Sequence, residues 1–312
     1  MRTIGRSVVV LLLGLSSARA DVVADWTKIA LHAVISSESS QLHAAREMAA
    51  VHVAMFESMN FVEGIYDPRF VVKPPQPLGI SSEQVAAAAA HHVLVRLHPE
   101  QERALDAGLR RSLASMADAR EKSSALVTGR ALGANIYGIL ARDLSAAGAD
   151  ISGGAPKTSP VRAPTHGSGA IVLAWYWMVA QNAEARRLKP IESARLYALV
   201  SMALSEVYGT DGDAALFRRP AYPCVHCVAG AAVQVILESG SGTARISEAT
   251  LADAGAAGAA YVVSRMREYG RGLSSEQLDR DTGRQSSIEA GEKAGRTIGL
   301  RALENYKPFR DR

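Results

Sequence analysis

The only two cysteines of the 312-residue chain stand together in Cys224-Val225-His226-Cys227. Two thiols three positions apart at a helix start can close a disulfide. A helix N-terminus also lowers a thiolate's pKa, and with His226 between them the pair could hold a soft metal. A tetrahedral zinc would need a fourth ligand or a water, and His166, Asp211 and Asp213 are the residues in question. A thiol pair followed directly by histidine would signal haem attachment, but residue 228 is valine. The disulfide Cys224–Cys227 is the preferred reading, and no metal is assigned. His226 could serve as a general base, ligate a metal, or simply hydrogen-bond at a helix start. His52, His91 and His92 lie among Ala, Val and Met, where a histidine is usually a core residue with a satisfied ring nitrogen. Arg265, Arg267 and Arg271 interleave with Glu268 and Glu276 and read as a solvated helix face.

The elements that must position these groups are helical. Ala-rich stretches dominate, and alternating β-branched runs are almost absent. The periodicity predicts helices over about Val22 to Ile35, Gln41 to Met59, Ser81 to Leu97, Gln101 to Met116, Ala119 to Ala147, Ile191 to Val207, His226 to Leu237, Ser247 to Tyr269 and Ser287 to Tyr306. In the second, Ala45, Met48, Ala49, His52, Met55, Phe56 and Met59 fall on one face. Ser81 with Gln84 three residues later is a capping-box pattern. Ser152 to Gly169, rich in Gly and Pro, reads as a long connection, and no internal repeat is visible. The expectation is an all-α helical bundle of about nine helices, forming one domain over residues 21–312.

With 48% hydrophobic, 21% charged and 5% aromatic residues, the composition is that of an ordinary globular protein. Lys plus Arg number 35 against 31 acidic residues, but Arg2, Arg6 and Arg19 fall in a segment that reads as a cleaved secretory signal over residues 1–20. A cationic start, an apolar stretch from Val8 to Leu15 and Ala18-Arg19-Ala20 before the cut carry that reading. Without the leader the charge is close to neutral, and no basic run of five or more exists, which argues against a nucleic-acid partner. Eight apolar residues are too few to span a bilayer, so an exported, periplasmic protein with no membrane span after cleavage is expected.

Three stretches carry a resemblance. Trp26, Ala44-Ala45-Arg46, His52, the run Ala54 to Asn60 and Tyr66-Asp67-Pro68 come first, then Pro190 to Ala198, then Glu289 to Gly299. Together they resemble exported bacterial members of the vanadium haloperoxidase and type-2 phosphatidic acid phosphatase superfamily. That family binds phosphate or vanadate with three motifs: a lysine spaced from Arg-Pro, a Pro-Ser-Gly-His, and an arginine followed by a histidine and then an aspartate. Guanidinium and ammonium groups hold the oxyanion, backbone N–H groups at a helix start add donors, and the two histidines provide acid–base and nucleophilic or ligating nitrogens.

The match here is partial. Arg219-Pro220 is similar to the first motif, but the lysine position falls on Gly212, next to Asp213. Pro223-Cys224-Val225-His226 is similar to the second, with Cys and Val replacing Ser-Gly. In the third, Gln285 stands where the nucleophilic or vanadium-ligating histidine belongs, with Glu289 in place of the orienting aspartate and Arg280 or Arg284 as the available cation. The resemblance thus implies a catalytic His226, an oxyanion pocket of Arg219, Cys224, Val225, Arg280 and Gln285, and a supporting Glu289. An amide is neither a nucleophile nor a strong metal ligand, so the covalent step and the axial vanadium bond do not carry over. The first expectation is a phosphoester hydrolase-like or peroxidase-like enzyme acting on a small anionic substrate, with vanadate the one cofactor the resemblance brings to mind. The alternatives are a catalytically inactive binding or structural homologue, and a redox or metal role for the cysteine pair.

Overall fold

The computed structural model of the chain describes residues 21–37, 39, 41–71, 79–114, 119–146, 168–209, 225–239 and 285–308. Nine α-helices lie among them: α1 (Val22–Ser36), α2 (Gln41–Glu63), α3 (Ser82–Leu97), α4 (Glu102–Ala114), α5 (Ala119–Ala146), α6 (Ser168–Ala185), α7 (Pro190–Gly209), α8 (Val225–Ser239) and α9 (Gln285–Leu303). There is no strand among the described residues, only an antiparallel bridge between Tyr66 and Pro308. None of their helices is long and apolar enough to cross a membrane. The leader and the expected helix from Ser247 to Tyr269 fall outside the described residues.

α2 is the axis of the bundle, with α1, α3, α5, α6 and α7 packed around it. The face expected from its sequence is buried, and so are Ala44, Ala50, Val51, Val53 and Ala54. Buried on nearly every side, the helix runs one turn past Met59, to Glu63. Ser81 caps α3 as its sequence indicates, its Oγ accepting from the Gln84 N–H at 3.3 Å. The fourth expected helix is preceded by a 3-10 turn, Pro99–Gln101, with Pro99 in the first helical position, where its missing N–H costs no hydrogen bond. One hydrophobic cluster runs from Val22 to Tyr306.

α6 is a helix that the sequence periodicity does not predict, and its first two residues, Ser168 and Gly169, fall in the stretch expected to be a connection. Ala170 to Ala180 is apolar without interruption, so no period marks a helix, and Gly167 and Gly169 disguise the start. It is helical because its apolar surface is shared among α1, α2, α7 and α8.

Glycine sets how closely two helix pairs approach. A Cβ on Gly129 of α5 would lie 2.4 Å from the Val85 carbonyl oxygen of α3, and one on Gly133 would lie 2.8 Å from that of Ala89. In the same way, Gly295 of α9 would meet the Val228 oxygen of α8 at 2.2 Å, and Gly299 that of Ala232 at 2.8 Å. Contacts advance together along both members, so each pair is parallel and needs a crossover.

Directions elsewhere follow from side-chain bonds. Arg301 Nη1 of α9 meets Glu206 Oε1 of α7 at 2.6 Å, while Arg195 Nε, eleven residues earlier on α7, donates to the Tyr306 carbonyl beyond α9 at 2.7 Å. α9 therefore runs antiparallel to α7. Only residues 186–189 connect α6 to α7, and the two pack together, Trp175 Nε1 donating to Tyr208 Oη at 3.3 Å and Tyr176 Oη to Ser201 Oγ at 2.9 Å, so α6 is antiparallel to α7 as well. The end of α7 and the starts of α6, α8 and α9 consequently share one end of the bundle.

Candidate functional site

The described parts of the second and third sequence motifs fall at that shared end. Val225, His226 and Cys227 form the first turn of α8, Gln285 opens α9, and Glu289 stands in its second turn. For these residues the helical backbone is what the structure describes. Arg219, Cys224 and Arg280 lie outside the described residues, as do Gly212, Asp213 and Arg284, and with Cys224 the expected disulfide. A helix start presents N–H groups without intrahelical partners and a partial positive charge, so two parallel starts attract an anion to the same end. The starts are staggered. Gly295 packs at Val228, which puts Gln285 about 15 Å upstream along α9 and Val225 only about 4.5 Å upstream along α8. The residue level with Val225 is thus near Glu292, and α9 begins about 10 Å further out than α8.

Aromatic side chains lie beneath the first turns of α8. A Cβ on Gly230, one turn after His226, would sit 3.5 Å from Trp175 Cη2. Trp175 and Tyr208 are buried and joined, and burial pushes the Tyr208 phenol up to about 12, so it stays a neutral hydroxyl. The sequence reading missed these residues because it missed α6. The aromatic triplet Trp175-Tyr176-Trp177 within an apolar run of helical length was the available signal.

Deeper in the bundle lies a hydrogen-bond chain that crosses four helices. Thr27 Oγ1 donates to the Val23 carbonyl at 2.7 Å, so toward His52 it can only accept. His52 Nε2 therefore carries the proton and donates to Thr27 at 2.9 Å, and Nδ1 accepts from Ser201 Oγ at 2.6 Å. Ser201 in turn accepts from Tyr176. Every proton is committed in one direction, which leaves no room for a charged imidazole. Burial alone pushes His52 down to about 3. The expected core role of His52 holds, and His91, whose Nε2 meets Asp106 Oδ1 at 2.8 Å, behaves likewise.

A second buried polar cluster lies where α1, α2 and α3 meet. Ser39 Oγ donates to both oxygens of Glu47, at 3.3 and 3.1 Å, and His98 Nε2 stands 3.6 Å from Glu47 Oε2. Among the described residues no group of three His, Cys, Asp or Glu could hold a metal. Burial raises the Glu47 carboxyl to about 7, with the charge of Glu100 adding to the rise. A folded pKa above the unfolded one favours the native state fully at low pH and loses that contribution as pH climbs through about 4.5 to 7. Glu47→Gln, which keeps one acceptor and cannot ionise, should match the parent in stability at pH 4 and exceed it at pH 8 by about 2 kcal/mol. Urea unfolding at the two pH values checks this, and equal differences at both would refute it.

The global comparison points the same way as the motifs. A solved structure described as the first bacterial vanadium-dependent iodoperoxidase superposes with a TM-score of 0.58 at 12% sequence identity, covering 92% of this chain and 97% of that one. No family model matches the sequence, and no curated protein does. At that identity the likeness speaks for the chain path, and an all-α bundle of this helix order, superposed over almost its whole length, has the vanadium haloperoxidase fold.

Proposed function

We propose that the end of the bundle where α8 and α9 begin is an oxyanion pocket, and that the protein binds, and in its most active reading hydrolyses, a small phosphoester. The observation that carries the proposal is the parallel pairing of α8 and α9, which brings the first turn of α8, Val225 to Cys227, and the Gln285 start to one end of a bundle that shares its fold with a vanadium-dependent iodoperoxidase. Arg219 and Arg280 supply charge, the N–H groups of Cys224 and Val225 supply donors, and Gln285 adds an amide donor supported by Glu289.

Vanadium chemistry does not fit this donor set. The position for the ligating imidazole holds Gln285, and that for the lysine holds Gly212, so no step is derived through vanadium. Hydrolysis needs only the residues present. His226 takes a proton from water as the water oxygen bonds to phosphorus, the phosphorus–oxygen bond to the alcohol breaks on the opposite side, and the departing alkoxide takes its proton from solvent while the imidazolium releases its own. Residues 1–20, read as a cleaved secretory signal, would put this activity outside the cytoplasm, in one domain proposed to span residues 21–312.

With p-nitrophenyl phosphate as substrate, His226→Ala should lower kcat/KM about 100-fold or more, while Gln285→Ala, which removes one neutral donor, should cost about 10-fold. Unchanged turnover in His226→Ala would overturn the hydrolytic reading. The replacements at 212 and 285 favour a second reading, an anion-binding homologue without turnover, in which affinity depends on Arg219 and His226 but no phosphoester is cleaved.

A further inference from the structure

The opposite end of α7 carries a buried cation that nothing above uses. Arg186, directly after α6, is 9% exposed, and its Nε, Nη1 and Nη2 are all sealed from solvent with no acceptor among the described residues. Asn182, one turn earlier and so on the same face, has an equally sealed Oδ1 without a donor. A guanidinium cannot shed its charge to relieve such burial, although burial does lower its pKa.

The ordinary structural task for an arginine here would be to cap the end of α6, but the backbone already does it. Leu188 N–H bonds the Ala183 carbonyl at 3.1 Å, Arg187 N–H that of Glu184 at 2.9 Å, and Arg186 N–H that of Asn182 at 3.1 Å. The first two bonds are those of a helix closed by a left-handed residue, here Arg187 at φ 52°. The neighbouring acid Glu192 is engaged with the Lys189 N–H at 2.9 Å. Five guanidinium N–H donors, with the exposed cations Arg187 and Lys189 adjacent in sequence, form a site whose missing member is an anion; Asn182 Oδ1 is itself an acceptor and contributes nothing to it.

We propose that the α6–α7 corner binds a small oxyanion of phosphate or carboxylate type on Arg186, at a site separate from the α8–α9 end. The twenty residues of α7 hold the two ends about 30 Å apart. The guanidinium nitrogens have no open face, so an anion enters only as the packing around them yields, which favours a free ion of about the size of phosphate over a headgroup on a large molecule. The proposal does not depend on the oxyanion pocket at the other end.

Thermal unfolding of the full chain in chloride and in inorganic phosphate, at equal ionic strength, tests it. An Arg219→Ala background removes the pocket at the α8–α9 end from the readout. In that background the melting temperature should rise saturably by about 5 °C with phosphate. Adding Arg186→Gln should abolish the rise, and in chloride it should raise the melting temperature, since the uncompensated charge is gone. Should the Gln variant not fold, Arg186→Lys keeps the charge without the planar fork and should weaken the apparent phosphate affinity at least 10-fold. No phosphate response in Arg219→Ala would overturn the proposal. So would an undiminished response after Arg186→Gln or Arg186→Lys, or a lower melting temperature of the Gln variant in chloride, the mark of a carboxylate partner within the chain.

Discussion

Gly295→Ala should destabilise the chain by about 3 kcal/mol and lower its melting temperature by roughly 10 °C. The added carbon would lie 2.2 Å from the Val228 carbonyl oxygen and 2.8 Å from the Ala231 Cβ. Neither neighbour is the movable end of a long side chain. The oxygen belongs to the α8 backbone, so the helices can relieve the overlap only by moving apart, and that opens the layer of Ala229, Ala232 and Val233 behind it. Gly138→Ala on α5 is the control, because a Cβ there meets nothing within 4 Å. It should be neutral or stabilising by up to about 1 kcal/mol through helix propensity. Calorimetric melting of the two variants separates close approach from the generic effect of replacing a helical glycine. Equal melting temperatures would mean that α8 and α9 do not pack through Gly295. The same substitution displaces the start of α9 relative to α8, so the oxyanion affinity of Gly295→Ala should fall in parallel with its stability.

The second large effect is expected at the directed chain through His52. His52→Leu fits the space roughly but leaves the Ser201 proton without an acceptor and removes the donor to Thr27, in a site sealed from water. Two lost hydrogen bonds and one orphaned buried donor together cost about 3 kcal/mol. Removing the orphan should recover part of this, so His52→Leu with Ser201→Ala should lose less than the sum of the single losses by about 1 kcal/mol. Denaturant unfolding of the four chains gives the coupling, and strict additivity would contradict the assigned directions. His52→Leu should also flatten the rise of stability with pH between 5 and 8, because the folded imidazole is neutral throughout that range while the unfolded one binds a proton below its ordinary value of 6.5.

The sequence was informative wherever local chemistry decides structure. The Ser81 cap, the burial of His52 and the start of α7, expected at Ile191 and found one residue earlier, each depend on residues a few positions apart. α6 was not legible, since an unbroken apolar run shows no period and only the surrounding helices make it one element. The parallel pairing of α8 with α9 was not legible either. Gly295 and Gly299 are visible in the sequence, but that they fit against Val228 and Ala232 is a fact of packing across 67 residues. For the candidate site, the sequence located His226 and Gln285 by motif, and the bundle brings their helix starts to one end. The 10 Å stagger between those starts follows from the glycine contacts and could not be read from motif spacing.

The central claim is an oxyanion pocket that involves His226. Calorimetric titration of the folded chain with orthovanadate, a phosphate analogue, tests it most directly, with His226→Ala and Arg219→Ala in parallel. The account predicts saturable binding in the micromolar range, roughly −8 kcal/mol, weakened about 10-fold or more by either substitution. Absence of binding, or binding indifferent to both substitutions, would contradict it.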